Sequence, residues 1–309
     1  MNAPLAYLNG RLVPFADAAL PLHDAGFVSG ATVVDNARTF RHRLFRWPDH
    51  LARLRRDCAT CCVPLEASDE QLTATAEELV VHNARLLPPG GELQLVTFAT
   101  PGPLGFYLGD VANGPPTLGM ATYPLPFARY RPFFTEGATL AAVGRHGGGP
   151  EDVLPPAVKH RSRMTWHVAD HAARERTGCA HALAVLLGPN WAVTETSVAN
   201  LLAVIDGTVT SPPRDTVLDG ISLRVTRELC GRHGVPFAEA PVTLADVHRT
   251  SEAMLTGTGF CLAGVREYHH YWNPPPRRFD WPGPVFRRLL AAWSDLVGVD
   301  VERQFTGPG

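Results

Sequence analysis

Short strand-like segments alternate with helix-like segments along this chain, and that alternation limits the fold more than any other feature of the sequence. The segment YLNGRL contains Asn9-Gly10, a dipeptide typical of a tight hairpin. Residues Ser68 to Leu87 have helical apolar periodicity, and Ser68 and Gln71 stand at the spacing of a helix cap. Residues Glu92 to Thr100 then alternate as a strand does. We therefore predict an α+β fold.

The chain is long enough for two hydrophobic cores. It has 309 residues, of which 45% are hydrophobic. The stretch TYPLPFARYRPFFTE, from Thr122 to Glu136, is rich in proline and aromatic residues and lacks a clear period. We predict an N-terminal domain at residues 1–121, an interdomain loop at 122–136 and a C-terminal domain at 137–309, in which helices wrap short strands.

Composition and charge exclude several classes of partner. The formal net charge is -2, whereas nucleic-acid binding needs a basic face that releases counterions. The sequence has no run of about eighteen apolar residues, and its first residues do not resemble a signal peptide. We expect a soluble cytoplasmic protein that binds neither nucleic acid nor membrane.

The cysteines and histidines do not form a pattern typical of metal ligands. Cys58, Cys61 and Cys62 lie close together after the helical stretch Pro48 to Asp57, without a second Cys or His pair at ligand spacing. We expect buried, reduced thiols that pack a helix face. The 13 histidines include no HExxH motif, so we predict no metal site.

Lysine is almost absent from this chain. It has 27 arginines and a single lysine, Lys159. Arginine carries the same charge, but it stays protonated and cannot act as an amine nucleophile. Lys159 is therefore a candidate for amine chemistry. Alternatively, it is one exposed charge that an arginine-rich composition retained by chance.

The residues after Lys159 favour the chemical interpretation. Taken singly, they indicate a surface carboxylate, a loop that enters a helix and a common turn. Together with Lys159 they provide what pyridoxal phosphate requires, which is an amine, an acid for the pyridine nitrogen and a helix N-terminus with a hydroxyl for the phosphate. Arg53, on a helix of the first domain, could add a bidentate contact. The segments are WAVTETSVANLL with Glu195 and Asn200, LDGIS with Gly220, Ile221 and Ser222, and LTGTGF with Gly257 and Thr258.

These motifs resemble those of the class IV aminotransferases, a family of fold-type IV pyridoxal phosphate enzymes that includes branched-chain and D-amino acid aminotransferases and aminodeoxychorismate lyase. The resemblance covers nearly the whole chain. It implies a smaller N-terminal α/β domain and a larger C-terminal pseudo-barrel domain that binds the cofactor. The matching segments are HDAGFVSGATVVDNAR, LFRWPDHLARL, Lys159, VTETSVANL, SPP, LDGIS and EAMLTGTG.

The resemblance also implies residue roles. Lys159 would carry the internal aldimine and, once displaced by the substrate amine, act as general base. Glu195 would pair with the ring nitrogen and keep it protonated. The phosphate would be bound by Arg53, Ile221, Ser222 and Thr258.

Several family positions are changed here, and they bear on the substrate. Met164 stands where many members have a tyrosine near the cofactor's phenolic oxygen, and Phe98 occupies the place of a carboxylate-binding arginine. Candidate substrate contacts are Arg38, Arg129, Arg131 and Gly257; for Arg129 and Arg131 a solvated loop is an equal alternative.

Three functions remain open at this stage. We expect first an aminotransferase that moves an amino group between a small amino acid or amine and a 2-oxo acid. An aminodeoxychorismate lyase-like enzyme would begin with the same proton transfer but release pyruvate. A non-catalytic interaction protein is the third alternative. Family members are homodimers whose pockets are completed by a partner's loop, and we expect exposed aromatics to form that contact here, namely Phe127, Tyr130, Phe133 and Phe134.

Overall fold

The computed structural model describes residues 3–109, 111–145, 153–272 and 275–307. The chain forms two compact units. The first contains Met1–Leu125 and Val158–Arg163, and the second contains Pro126–Ala157 and Met164–Gly309. Two units agree with the predicted number of domains, but the chain enters the second unit and then returns to the first for the six residues around Lys159.

The first unit is a six-stranded sheet in the order β2-β1-β6-β5-β3-β4, accompanied by helices. The pairs along this order are antiparallel. Its strands are β1 (Leu5–Leu8), β2 (Arg11–Pro14), β3 (Val33–Phe40), β4 (Arg43–Leu44), β5 (Leu93–Thr100) and β6 (Thr117–Pro124), and its helices are α1 (Ala25–Val28), α2 (Trp47–Thr60) and α3 (Asp69–Ala84).

Two local predictions for this unit are confirmed. Asn9 and Gly10 both adopt positive φ, 47° and 88°, as the tight turn between β1 and β2 requires. Ser68 and Gln71 form a capping box in front of α3. Apolar side chains of α2 and α3, such as Leu54 and Leu79, are fully buried and share one core cluster with residues of the sheet.

The second unit is built on a nine-stranded sheet. Its strands are β7 (Ala138–Arg145), β8 (Leu183–Leu187), β9 (Val193–Thr196), β10 (Asn200–Ile205), β11 (Thr208–Ser211), β12 (Phe237–Glu239), β13 (Thr250–Gly257), β14 (Cys261–His269) and β15 (Arg277–Arg278). Its helices are α4 (Phe127–Thr135), α5 (Met164–Thr177), α6 (Ile221–Arg232), α7 (Leu244–Arg249), α8 (Pro284–Val297) and α9 (Val301–Thr306).

Six strands of this sheet close into a barrel. The order β10-β13-β14-β7-β8-β9 ends where β9 pairs back to β10 through Asn200 and Glu195. Neighbours in the sheet are not always neighbours in the chain, and β7 lies between β14 and β8 and is parallel to both. Closure removes sheet edges and places the start of β10 beside the end of β13.

The predicted interdomain loop at 122–136 is wrong in its local structure. Thr122 to Pro124 complete β6, and Phe127–Thr135 form the helix α4, which contains Pro132. The sequence did not indicate this helix, because its buried face is aromatic and Pro132 lies inside it.

The aromatic residues of α4 are not the exposed surface that we expected. Tyr130, Phe133 and Phe134 are buried, and Phe127 is half-buried. Phe134 stacks on Phe305 of α9 at 4.5 Å between ring centroids. Since these rings pack within the second unit, the predicted dimer contact through them is wrong.

The cysteines are only partly buried. Cys58 is buried on α2, where burial raises the pKa of its thiol to about 12, but Cys61 is half-buried and Cys62 is exposed. No metal-binding group of three or more His, Cys, Asp or Glu side chains exists among the residues that the structure describes. Within the same residues, every helix is too short or too polar to cross a membrane.

Candidate functional site

Lys159 is held by the first unit. The carbonyl of Lys159 accepts the Val34 N–H at 3.0 Å, and the Arg161 N–H donates to the Thr32 carbonyl at 2.9 Å. An antiparallel bridge between Val33 and His160 completes the pairing. The segment therefore lies as a short added strand beside the start of β3. This differs from the predicted assignment of Lys159 to the domain at 137–309, because strand pairing over a few residues leaves no periodicity in the sequence.

The main-chain N–H of Lys159 is hydrogen-bonded as well. Its N–H donates to Oδ2 of Asp57 on α2 at 2.9 Å. Asp57 is fully buried, and Arg56 donates to its other oxygen, Oδ1, at 2.9 Å. Burial raises the pKa of the Asp57 carboxyl, while the Lys159 N–H and Arg56 act in the opposite direction. The Lys159 side chain is half-buried, and its two main-chain hydrogen bonds fix the backbone that carries it.

Arg53 lies one helical turn before Asp57 and pairs with Asp35 of β3. Its Nε and Nη2 donate to the two carboxylate oxygens at 2.8 and 3.0 Å, and both side chains are buried. His50 Nδ1 lies 2.7 Å from Asp35 Oδ1. Although burial opposes ionisation, the charges of Arg53 and His50 hold the pKa of Asp35 well below its usual range. Burial lowers the pKa of His50, and the charge of Lys159 adds a small contribution in the same direction.

In the second unit, Glu195 sits at the point where the barrel closes. Its Oε2 accepts hydrogen bonds from Asn200 Nδ2 and the Leu218 N–H, both at 3.2 Å. Asn200 Nδ2 also donates to the Leu218 carbonyl at 2.8 Å. Asn200 thus joins the Glu195 carboxylate to the loop that precedes α6.

The N-terminus of α6 has the chemistry of an anion site. Gly220 is its N-cap and offers no side chain to the N–H groups of the first turn, which includes Ile221 and Ser222. A helix of 12 residues adds a favourable dipole for negative charge there. A Cβ on Gly220 would lie 2.1 Å from Asn200 Oδ1, so this cradle requires glycine.

Gly257 and Thr258 lie beside the same structure. Gly257 ends β13, next to Thr256, which is the register partner of Asn200. The hydroxyl oxygens of Thr256 and Thr226 are 3.1 Å apart, and Thr226 belongs to α6. Thr258 is half-buried. The second unit therefore brings together the predicted residues Glu195, Ile221, Ser222, Gly257 and Thr258.

The candidate substrate arginines lie in different environments. Arg38 is buried in β3, with its guanidinium carbon 3.9 Å from the Phe40 ring centroid. Arg131 donates to the carbonyls of Phe305 and Gly307 at 3.0 and 3.4 Å, which connects it to the end of α9. Arg129 is exposed. Arg129 and Arg131 both belong to the helix α4 and not to a loop, and both are exposed to solvent.

Sequence reasoning missed Asp35, His50 and Asp57 as parts of this arrangement. His50, Arg53 and Asp57 are spaced i, i+3 and i+7 on α2, which places them on one helix face. Apolar Leu51, Leu54 and Cys58 on the same helix are buried as well. Polar residues at core-facing helix positions were the available signal, because buried charges need partners.

Comparisons with known proteins identify the family and the fold of this chain. The model of the family described as amino-transferase class IV matches residues 32–268. A Methanocaldococcus jannaschii protein, provisionally named a branched-chain-amino-acid aminotransferase, is 29% identical over 263 residues, which are 84% of this chain and 86% of the relative. The D-alanine aminotransferase of Listeria monocytogenes is 26% identical over 254 residues, 81% of this chain and 83% of the relative.

A solved structure gives the same fold. The crystal structure of the Escherichia coli branched-chain amino acid aminotransferase superposes with a TM-score of 0.82 at 19% identity, over 96% of this chain and 95% of that one. These proteins are aminotransferases by name, so neither the lyase nor the non-catalytic alternative gains support from them. Because the family model spans most of the chain, this protein belongs to the class IV aminotransferases.

Proposed function

We propose that this protein is a pyridoxal 5'-phosphate-dependent aminotransferase that moves an amino group between a small amino acid or amine and a 2-oxo acid, with Lys159 as its catalytic residue. The observation that carries this proposal is the single lysine, held at both main-chain groups in a chain of this family. An arginine could have supplied a positive charge at this position, whereas it could not have supplied amine chemistry.

The donor groups fit the cofactor's phosphate. The first turn of α6 offers main-chain N–H groups and the Ser222 hydroxyl, and its N-cap Gly220 has no side chain that could bond those N–H groups. We propose that Ile221, Ser222 and Thr258 bind the phosphate. Asp35 holds the Arg53 guanidinium through Nε and Nη2, and we propose that this oriented, positively charged group adds a charge-assisted contact to the same phosphate.

Glu195 fits the role of partner to the pyridine nitrogen. A carboxylate next to that nitrogen favours its protonated form. Asn200 and the Leu218 N–H hold one oxygen of Glu195, which limits the rotation of the carboxylate. When bound, the cofactor supplies an electron sink for the substrate's Cα bonds.

Lys159 would move the proton of the reaction. In its neutral form the Nζ atom would accept the proton from the substrate Cα and would later release it at a second position. A base that acts at two positions must be anchored but able to swing. The hydrogen bonds of Lys159 to Asp57 and Val34 provide the anchor, and the four-carbon side chain provides the reach.

We propose Arg129 as the contact for the substrate carboxylate. Arg129 and Arg131 are both exposed, but Arg131 is engaged with the carbonyls at the end of α9, and Arg38 is buried in β3. Gly257, the last residue of β13, is proposed as a further substrate contact. Donors to be tested include branched-chain amino acids and D-alanine, which the names of the relatives suggest.

We further propose a homodimer. The support is an exposed apolar surface on the first unit, formed by side chains of two segments that are joined by the Leu104 N–H and the His23 carbonyl. Its members are Leu22, Phe27, Phe106, Tyr107 and Leu108. The cytoplasmic location and the absence of nucleic-acid and membrane partners stay predictions from composition.

Covalent trapping tests the proposed role of Lys159. The protein is incubated with pyridoxal 5'-phosphate, reduced with borohydride, digested and mapped by mass spectrometry. We expect the cofactor's mass on the peptide that contains Lys159, and its loss in Lys159→Ala and Lys159→Arg. The terminal amine is the other amine of the chain and serves as an internal control. Cofactor found only at the terminus would contradict the proposal.

A half-reaction then tests transamination. Amino donors should convert the bound cofactor to its amine form, and a 2-oxo acid should restore the original spectrum. Release of pyruvate without that conversion would indicate elimination instead. No spectral change with any amino donor would refute aminotransferase activity.

A further inference from the structure

We propose that Asp57 is a positioning residue that fixes the main chain of Lys159 and so sets the place from which its amine acts. This inference rests on the proposed function. Asp57 would not touch the cofactor or the substrate; it would act through the Lys159 peptide.

The first observation is the hydrogen bond between the Asp57 carboxylate and the Lys159 N–H. Asp57 Oδ2 accepts the Lys159 N–H at 2.9 Å, between residues that are 102 positions apart in the chain. The acceptor lies inside α2, a helix of 14 residues, so the carboxylate is mounted on a rigid element. Arg56 donates to the other oxygen and restricts rotation of the carboxylate.

The second observation is that the same segment is held from its other side. Val34 donates to the Lys159 carbonyl, Arg161 donates to Thr32, and the Ser162 hydroxyl donates to the Gly30 carbonyl at 2.8 Å. The contacts at β3 alone would let the segment pivot about the sheet edge. Asp57 adds a contact from α2, and contacts on two sides fix the direction of the Cα–Cβ bond of Lys159.

The third observation is the choice of an acid at a buried position. Asp57 is fully buried, and burial raises the pKa of its carboxyl. A neutral acceptor could satisfy one N–H with less desolvation. A carboxylate forms a shorter and stronger hydrogen bond to a backbone N–H than a neutral acceptor does.

Variants of Asp57 test the proposal. Asp57→Ala and Asp57→Leu remove the acceptor, Asp57→Asn keeps an acceptor oxygen, and Asp49→Ala removes a half-buried aspartate from the same helix as a matched control. Two quantities are measured in each: hydrogen exchange at the Lys159 amide, without cofactor, and the rate of borohydride trapping of pyridoxal 5'-phosphate at Lys159. Circular dichroism and thermal unfolding identify variants that do not fold.

We expect the Lys159 amide to exchange faster by about tenfold or more in Asp57→Ala and Asp57→Leu, since a lost hydrogen bond of this kind changes an equilibrium by at least that factor. Trapping should slow by about tenfold as well, because misplacement of a reacting group reduces rates steeply. Asp57→Asn should restore both quantities to within about threefold of the wild type, and Asp49→Ala should leave them unchanged.

If folded Asp57→Ala traps the cofactor and exchanges its Lys159 amide at the wild-type rates, the proposal is overturned. An unprotected Lys159 amide in the wild-type protein would also overturn it, and that measurement requires no variant. Slow trapping in Asp57→Asn with a protected Lys159 amide would also overturn the proposal, since the hydrogen bond to Lys159 would then not determine the trapping rate. If the wild-type protein never attaches the cofactor at Lys159, the proposed function fails, while the exchange measurement still decides whether Asp57 fixes the Lys159 main chain.

Discussion

At the residue scale, the first unit has a buried polar network on the core-facing side of α2. Asp35 bonds Arg53 and His50 at once, which is why these two side chains can lie at 3% and 2% exposure in a hydrophobic core. This network favours one arrangement of the three side chains, because Arg53 and His50 both depend on Asp35 as their carboxylate partner. Asp35 therefore holds the Arg53 guanidinium in one orientation.

We predict that His50 makes the protein less stable in mild acid. Burial lowers the pKa of His50 below its unfolded value, which is about 6.5. Between pH of about 7.5 and 5.5 the unfolded chain therefore takes up a proton that the native state does not, and the free energy of unfolding falls by up to about 1.4 kcal/mol per pH unit. Asp35, whose native pKa is depressed, loses its stabilising effect only at lower pH, as acid protonates the unfolded carboxyl near about pH 3.9.

Urea unfolding at the two pH values measures this effect. His50→Gln keeps a donor for Asp35 but cannot titrate, so its stability should depend less on pH than that of the wild type. Some dependence should persist, since burial also lowers the pKa of His270. His171→Gln, at an exposed position of α5, is the matched control. An unchanged pH dependence in His50→Gln would contradict the prediction.

The sequence indicates the role of a residue well when only one residue type can fill that role. It indicates the role poorly when the role depends on which residues the fold brings together. Lys159 and Glu195 stand out because few side chains can do their proposed chemistry. Asp35 and His50 could not be assigned, since only β3 and α2 together bring them within 2.7 Å of each other. Their signal, polar residues among apolar ones on one face, is weak without knowledge of the fold.

At the element scale, the start of α6 depends on the absence of a side chain at Gly220. We predict that Gly220→Ala lowers the free energy of unfolding by about 1–3 kcal/mol, because its Cβ would meet Asn200 Oδ1 at 2.1 Å and displace the partner of Glu195. A Cβ added at Gly231, within the same helix, would meet nothing within 4 Å. Gly231→Ala should therefore stabilise the protein by about 0.5–1 kcal/mol.

Both glycine variants are compared with the wild type by urea unfolding and by equilibrium binding of pyridoxal 5'-phosphate. Gly220→Ala should weaken cofactor binding and Gly231→Ala should not. Equal effects of the two substitutions on stability would show that the contact with Asn200 does not limit this position.

The helix α4 separates two arginines that sequence reasoning treated alike. We predict that Arg131→Ala lowers the free energy of unfolding by about 1–2 kcal/mol, because its guanidinium bonds the carbonyls at the end of α9. Arg129→Ala should change stability by less than about 0.5 kcal/mol, since Arg129 is exposed, but should raise KM for carboxylate substrates. Urea unfolding and steady-state kinetics check the pair, and a larger loss of stability in Arg129→Ala would reverse the assignment.

Helices and strands with a regular spacing of apolar residues were predicted from the sequence. Those that form mainly because neighbouring elements pack against them were not. The helix predicted at Ser68 to Leu87 spans Asp69–Ala84 in the structure, and the strand predicted at Glu92 to Thr100 spans Leu93–Thr100. The strand β14 and the helices α4 and α9 were missed. Aromatic side chains of α4 and α9 pack on each other, for example Phe134 on Phe305, and the two helices are only nine and six residues long.

At the scale of the whole molecule, the sequence predicts two domains but not how the chain is shared between them. The unit boundary after Leu125 lies inside the stretch predicted as a loop. The return of Val158–Arg163 to the first unit could not be predicted, because hydrogen bonds to β3 and Asp57 require little of the side chains that make them. The candidate catalytic lysine therefore belongs to the smaller unit, although its sequence neighbours on both sides belong to the larger one.

The exposed apolar surface of the first unit leads to the last prediction, which concerns assembly. Leu22, Phe27, Phe106 and Leu108 are 79%, 69%, 66% and 60% exposed, and large apolar side chains grouped in this way mark interaction sites. We expect a dimer by size-exclusion chromatography with light scattering. The double variant Phe106→Glu/Leu108→Glu should be a folded monomer, because charges at the centre of an apolar interface oppose its burial. Val168→Glu, at a position of the second unit that is 59% exposed, is the control and should remain a dimer. A wild-type monomer at micromolar concentration, or a dimer that persists in the double variant, would refute the assignment of this surface.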